Sequence, residues 1–150
     1  MNDYLMVVLD VSGSFAENGK LSILRALRLS ALAFARKFEA EADVFIWRDE
    51  VRPFESPADV VPEGIAEPEA LIDFISACDE GSKFLIISDG IWSGKDAARI
   101  RTALKANNSS LAMVAVGADA VSSSNYCIST VGGIWSALDL GAAIEAVLAA

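Results

Sequence analysis

Two aspartates at the ends of apolar segments are the first residues that suggest chemistry. Asp10 is the last residue of the run that begins at Tyr4, and Asp89 directly follows the run from Lys83 to Ser88. Each is followed by small residues that let other groups approach closely. If the two runs are neighbouring parallel strands, two carboxylates meet at one sheet edge, which is costly unless a cation neutralises them. The pair therefore predicts a cation site.

Two serines follow Asp10 and could add oxygen ligands. Ser12 and Ser14 form an Asp-x-Ser-x-Ser loop with Asp10, which can aim three side-chain oxygens at one point. Hard cations such as Mg²⁺ take oxygen ligands, whereas a chain with no histidine and two separated cysteines offers zinc no good ligand set. The sequence thus predicts Mg²⁺ or Mn²⁺ bound by Asp10, Ser12, Ser14 and Asp89. The alternative is that the serines merely cap the first helix.

The elements that must position these residues alternate between strands and helices. Strands are predicted for Tyr4 to Asp10, Ala42 to Trp47, Val51 to Phe54, Lys83 to Ser88, Leu111 to Val116 and Tyr126 to Val131. Helices are predicted for Lys20 to Ala40, Glu69 to Cys78, Lys95 to Ala106 and about Asp139 to Ala149. Nearly continuous apolar strands are typical of parallel sheets covered on both faces. The pattern predicts one α/β domain over residues 1–150, with a doubly wound, mostly parallel sheet.

The short third strand carries Pro53, which favours an antiparallel edge position reached by a hairpin.

Composition restricts the function further. Acidic residues number 21 against 12 basic ones, for a net charge of −9, which argues against nucleic-acid and anionic-membrane surfaces. No secretory leader or membrane-spanning run is recognisable, and Cys78 and Cys127 fit reduced thiols buried in a helix and a strand. We therefore expect a cytoplasmic protein.

Three stretches together resemble a von Willebrand factor A (VWA) domain. Asp10-Val11-Ser12-Gly13-Ser14 is similar to the signature of the family's metal-ion-dependent adhesion site (MIDAS). The apolar run ending in Ser88-Asp89-Gly90 resembles the family's strand that ends in Asp-Gly. The segment from Ser129 to Trp135, which contains Gly132-Gly133, resembles the family's last strand and the glycines before its final helix. The resemblance covers the whole chain.

The resemblance implies a Rossmann-like, six-stranded sheet of five parallel strands and one antiparallel edge strand, with helices on both faces. It also implies that Ser12 and Ser14 bind the ion directly while Asp10 and Asp89 act mostly through water. In that family an Asp or Glu of a protein partner commonly completes the coordination, so the implied role is protein binding. Small bacterial domains of this kind often work beside AAA+ ATPases or in multi-protein stress-response complexes.

One ligand of the family pattern is missing. The family's third direct ligand is a threonine in the loop before the second major helix, but residues 55–68 contain no threonine. Ser56 is the only hydroxyl in this loop, and Glu63 and Glu67 lie nearer the expected place. A glutamate there would partly neutralise the ion, and an empty position would weaken metal binding. The sequence leaves Ser56, Glu63, Glu67 or nothing as the replacement.

Three tryptophans fall at or just past predicted strand ends. Trp47, Trp92 and Trp135 could either line the metal site and contact a partner or pack as lids over the sheet. Packing is the favoured interpretation for Trp47 and Trp135. Trp92 closely follows Asp89 in a loop on the site face, which favours partner contact.

The rival function is a metal-dependent hydrolase, a nuclease or a phosphatase, that uses Asp10 and Asp89. A two-metal nuclease needs three or four converging carboxylates and basic residues for the nucleic-acid backbone, and neither is evident in this acidic chain. Without histidine a Ser-His-Asp arrangement is impossible. We therefore expect a binding protein and not an enzyme.

Overall fold

A computed structural model describes residues 3–12, 19–89, 92–116 and 127–150. The strands are Tyr4–Asp10 (β1), Glu41–Trp47 (β2), Val51–Pro53 (β3), Lys83–Ser88 (β4), Ser110–Ala115 (β5) and Ile134–Ser136 (β6). The helices are Lys20–Lys37 (α1), Pro68–Ala77 (α2), Gly94–Ala106 (α3) and Leu140–Leu148 (α4), and short 3-10 turns cover Pro57–Asp59 and Ala137–Asp139. Most of these bounds lie within a few residues of the predicted ones.

The six strands form one sheet in the order β3-β2-β1-β4-β5-β6. All neighbouring pairs are parallel except β2 and β3, which pair as an antiparallel hairpin at the edge. The predicted doubly wound, mostly parallel sheet with one antiparallel edge strand is therefore confirmed. From β1 the chain proceeds to β2 on one side, and β4 adds to the other side of β1, so the strand order reverses between β1 and β4.

The sheet buries both of its faces, as the continuous apolar strands predict. In β1, Leu5, Val7 and Leu9 point to one face, and Met6 and Val8 point to the other. Helices α1 and α4 cover the first face, and α2 and α3 cover the second. Within the described residues, none of the helices combines the length and apolar character needed to cross a membrane.

Glycine permits a close contact between the two helices on the first face. A Cβ atom on Gly141 of α4 would lie 2.7 Å from the ring of Phe34 in α1, well inside normal contact distance. The helices therefore approach each other at this point because Gly141 has no side chain. Phe34 in turn stacks on Phe38, with ring centroids 6.5 Å apart.

The predicted last strand from Tyr126 to Val131 is wrong for residues 127–131, which form no strand, while Tyr126 lies outside the described residues. The strand that pairs with β5 is β6, at Ile134–Ser136. Side-chain oxygens replace the backbone acceptors of the earlier segment: Ser129 Oγ and Thr130 Oγ1 accept hydrogen bonds from β5 backbone amides, at 2.7 and 2.8 Å. One backbone bond to β5 remains, from the Thr130 amide to the Leu111 oxygen at 2.8 Å. Hydroxyl side chains compete with backbone pairing in this way, so the apolar pattern misplaced the strand.

The cysteines are also less buried than predicted. Cys78 and Cys127 are both free thiols of intermediate exposure. Cys78 follows the end of α2, and Cys127 lies in the segment that forms no strand.

A side chain at Gly132 is expected to cost more stability than one at its neighbour Gly133. Both Gly132 and Gly133 have positive φ angles, of 71° and 84°, so either alanine substitution costs about 1–2 kcal/mol in backbone strain. A Cβ on Gly132 would also lie 2.8 Å from Trp135 Cε2 and closer still to Cζ2, whereas a Cβ on Gly133 meets nothing within 4 Å. Gly132→Ala should therefore lose about 1–3 kcal/mol more than Gly133→Ala.

Urea unfolding of the two alanine variants, followed by tryptophan fluorescence, measures this difference. Gly133→Ala is the matched control because it carries the same backbone cost without the overlap with Trp135. Equal losses in the two variants would contradict the prediction.

Candidate metal site

The two aspartates meet because their strands are neighbours in the sheet. β1 pairs with β4 in a parallel register that places Leu9 opposite Ile87, so Asp10 and Asp89 follow at adjacent strand ends. Both side chains are buried, with exposed fractions of 2% for Asp10 and 1% for Asp89. This is the point where the strand order reverses, which is where open α/β sheets place their ligand sites.

Hydrogen bonds hold the Asp10 carboxylate in place. Its Oδ1 accepts a bond of 2.9 Å from the backbone amide of Ser12, and its Oδ2 accepts a bond of 2.6 Å from the hydroxyl of Ser88. Ser88 was not predicted as a site residue from the sequence. The available signal was a serine at the end of an otherwise apolar, buried strand. Because both oxygens of Asp10 already accept protein hydrogen bonds, the carboxylate is preorganised.

Burial raises the pKa of Asp10 from its ordinary value of 3.8 to about 6. Hydrogen bonds from Ser88 and Ser12 lower this pKa, and the negative charge of Asp89 raises it. Loss of hydration is the largest cause, because it disfavours the charged form of a buried carboxyl group. The site therefore holds negative charge at a cost that a bound cation would relieve.

A lysine already supplies positive charge at this place. The ammonium group of Lys20, the first residue of α1, lies 3.5 Å from Asp89 Oδ2. Its side chain is fully buried, with an exposed fraction of 0%. The sequence indicated Lys20 only as the first residue of a predicted helix. Its position directly after a glycine, close to the Asp-x-Ser-x-Ser loop, was the available signal.

The aspartates face a small cavity at the carboxyl edge of the sheet. Its volume is about 280 Å³, and its lining residues are Asp10, Ser12, Gly64, Ile65, Ala66, Asp89 and Trp92. Of the two predicted serine ligands, the structure describes only Ser12, which lines this cavity. Ser14 belongs to residues 13–18, which lie outside the described part of the chain, as does Gly90.

The 55–68 loop brings no side-chain oxygen to this cavity; it contributes Gly64, Ile65 and Ala66. Ser56 instead forms a capping box with Asp59 at the 3-10 turn. Glu63 forms an ion pair with Arg48 at 2.6 Å, and both line a neighbouring cleft. Glu67 is exposed and precedes α2. None of these three side chains lines the cavity, so the loop geometry matches the alternative in which nothing replaces the missing threonine.

Trp47 fixes the end of this loop from inside the protein. It is fully buried, and its indole Nε1 donates a hydrogen bond of 2.8 Å to the backbone oxygen of Glu67. Trp92 packs against it, with ring centroids 5.9 Å apart, and covers one side of the cavity. Trp135 lies over Gly132 and donates to the Val131 backbone oxygen at 3.0 Å. Trp47 and Trp135 are therefore packing residues, and Trp92 lies at the site.

The described residues contain no cluster of three or more Asp, Glu, Cys or His side chains able to hold a metal ion. The donors that do line the cavity are the oxygens of Asp10, Asp89 and Ser12. Carboxylate and hydroxyl oxygens suit a hard divalent cation such as Mg²⁺. The chemistry of this donor set fits the predicted ion, and the predicted ligation itself stays a prediction.

No protein-family model matches the sequence, and no curated protein sequence shows significant similarity to it. Solved structures do share the fold. An aerotolerance-related membrane protein from Bacteroides fragilis is 16% identical, with a TM-score of 0.55 over 77% of this chain and 68% of its own. The conserved hypothetical protein BatB from Bacteroides thetaiotaomicron is 14% identical, with a TM-score of 0.52 over 76% of this chain and 66% of its own.

The PilB minor pilin from Streptococcus sanguinis, solved as a D319A mutant, is 9% identical, with a TM-score of 0.62 over 97% of this chain. This chain spans 60% of that pilin chain and about two thirds of the two Bacteroides chains. At such low identities the similarity describes the fold alone. The chain has a Rossmann-like α/β fold of the kind found in these structures.

Proposed function

We propose that this chain is a divalent-metal-dependent protein-interaction domain that binds its partner without catalysis. Asp10, Ser12, Ser14 and Asp89 would hold Mg²⁺ or Mn²⁺, and an Asp or Glu of the partner would complete the coordination. The observation that carries the proposal is the cavity in which buried Asp10 and Asp89 meet Ser12 at the edge of the sheet where the strand order reverses.

The absence of any side-chain oxygen of the 55–68 loop from the cavity favours an open coordination position. Gly64, Ile65 and Ala66 form that wall of the cavity, so the position that a loop side chain could take stays available to a partner. With the neutral hydroxyls as direct ligands and the aspartates acting mostly through water, the ion would stay electrophilic, and an incoming carboxylate would be strongly attracted.

Apolar groups beside the cavity add a surface for the partner. Ile65 lines the cavity with 68% of its side chain exposed, and Val61 of the same loop is 47% exposed. Exposed aliphatic residues next to a polar centre are typical of binding sites, in which a charged contact gives specificity and apolar burial adds affinity. We propose that the partner places its carboxylate at the ion and an apolar side chain against Ile65.

The class of partner follows from analogy. Small VWA-like domains in bacteria often work with AAA+ ATPases or in multi-protein stress-response complexes, and a protein of similar fold is named as aerotolerance-related. We propose these two kinds of assembly as the first in which to search for the partner.

Capture of the partner from cell extract in Mg²⁺ and in EDTA tests the proposal. We expect recovery in Mg²⁺, loss in EDTA, and loss in Ser12→Ala even with Mg²⁺, because a ligand hydroxyl is removed. Ser76→Ala is the matched control, since Ser76 lies in α2 and its hydroxyl donates to the Ile72 backbone oxygen. If the same protein is recovered equally well in EDTA and in Mg²⁺, and equally well by Ser12→Ala and by wild type, the partner binds on another surface.

A further inference from the structure

A buried lysine pairs with Asp89, one of the two aspartates at which the proposed function places a metal ion. Lys20 and Asp89 are 0% and 1% exposed, and their charged atoms lie 3.5 Å apart. Lysine is almost never fully buried unless it is paired, because an uncompensated buried charge is strongly destabilising. The burial of Lys20 is therefore linked to the negative charge of this site.

The helix itself gives no reason for a lysine at this position. Lys20 is the first residue of α1, and no acidic residue occupies the first turn of that helix. A positive charge at a helix N-terminus is disfavoured by the helix dipole, which is positive at this end. The ion pair with Asp89 is one favourable contact that offsets this cost.

The charges of the site can be balanced in two ways. The two aspartates carry two negative charges when both are ionised, and Lys20 supplies one positive charge. A divalent cation supplies two, and it would then share a small buried volume with the Lys20 ammonium, where like charges repel strongly. The lysine stem is long and flexible, so the ammonium group can withdraw.

We infer that Lys20 is the built-in counter-cation of Asp89 and that it must withdraw before a divalent ion binds at the Asp10–Asp89 site. Lys20 and the ion are thus alternative partners of the Asp89 carboxylate. The inference rests on the proposed metal site and adds that Lys20 lowers the affinity of this site for a divalent ion. Metal binding by this chain is consequently coupled to the exposure of one lysine.

Calorimetric titration of Mn²⁺ into EDTA-stripped protein tests the competition. Lys20→Met keeps the length of the side chain and removes its charge, so it should bind Mn²⁺ at least about tenfold more tightly than wild type. Lys20→Arg keeps the charge and should not gain affinity. Lys37→Met is the matched control, because it removes the same charge from the exposed end of the same helix.

A second measurement uses the wild-type chain and does not depend on the folding of a variant. Lysine acetylation, read by mass spectrometry, should leave Lys20 protected in EDTA and modify it several-fold faster in saturating Mn²⁺. Lys37 and Lys95 serve as internal references and should react equally in both conditions. Mn²⁺ binding with no change in Lys20 reactivity would overturn the inference.

The outcomes separate this inference from the proposed function. Equal Mn²⁺ affinity in wild type, Lys20→Met and Lys37→Met overturns the inference and leaves the metal site standing. Binding by Lys20→Met alone supports the inference and shows that wild type is neutralised by its own lysine. No binding by any of these variants overturns both proposals.

Discussion

Asp10→Ala is expected to abolish the stabilisation that Mg²⁺ or Mn²⁺ gives to the wild-type chain. An ion that binds only the folded state adds about 2.7 kcal/mol at a hundredfold excess over its dissociation constant. For a chain of 150 residues, this raises the melting temperature by roughly 5–10 °C. Scanning fluorimetry in EDTA and across a metal titration measures the shift, and the variant should give overlapping curves.

Asp73→Ala is the control for this titration. Asp73 is an exposed acid in α2, and its removal changes the net charge by the same amount while the metal response should persist. Wild-type curves that coincide in EDTA and in saturating metal would count against a functional site.

The same titration examines the missing threonine of the loop. Ala66 lines the cavity, so Ala66→Thr would add a hydroxyl ligand close to Asp10 and Ser12. It should strengthen the metal response, whereas Ala66→Val, which has the same shape without the hydroxyl, should not. Equal responses in the two variants would mean that this part of the loop does not contact the ion.

Metal-free protein should lose stability as the pH rises from about 4 to about 6. The pKa of Asp10 is about 6 in the folded chain and has an ordinary value of 3.8, so the folded state binds this proton more tightly than the unfolded state does. The contribution is complete below about pH 4 and is lost as the pH rises through about 6. Two pKa units correspond to at most about 3 kcal/mol.

Urea unfolding in EDTA across this pH range, compared with Asp10→Asn, measures the effect of this one group. Asparagine does not titrate, so the difference between wild type and the variant removes the contributions of all other acids. The charged neighbours, Asp89 and its partner Lys20, are the same in both proteins. A difference that stays constant from pH 4 to pH 7 would show that Asp10 is not perturbed.

The predicted stabilisation by metal and the predicted loss of stability with rising pH both depend on the cost of burying the ionised Asp10. Burial makes the ionised Asp10 costly, and a proton or the proposed divalent ion would each reduce that cost. The metal affinity of the site should therefore be higher at neutral pH than at pH 5, where the proton competes.

The sequence by itself determined the fold class and the meeting of the two aspartates. Apolar strands and amphipathic helices are set by the period of the side chains along the chain, and the period is visible without coordinates. The positions of Asp10 and Asp89 after two such strands were sufficient to predict a polar site at one edge of the sheet. Pro53 likewise indicated the antiparallel edge strand, which is β3.

Only the tertiary structure decided which side chains surround those aspartates. Ser88 bonds to Asp10 across 78 positions of sequence, and Lys20 pairs with Asp89 across 69, so no local pattern contains either contact. The same limit explains the misplaced last strand, where Ser129 and Thr130 hydroxyls accept the hydrogen bonds of β5 amides in place of backbone oxygens. Periodicity reports which face of an element is buried, whereas a buried charge takes its partner from whatever the packing of distant elements brings within reach.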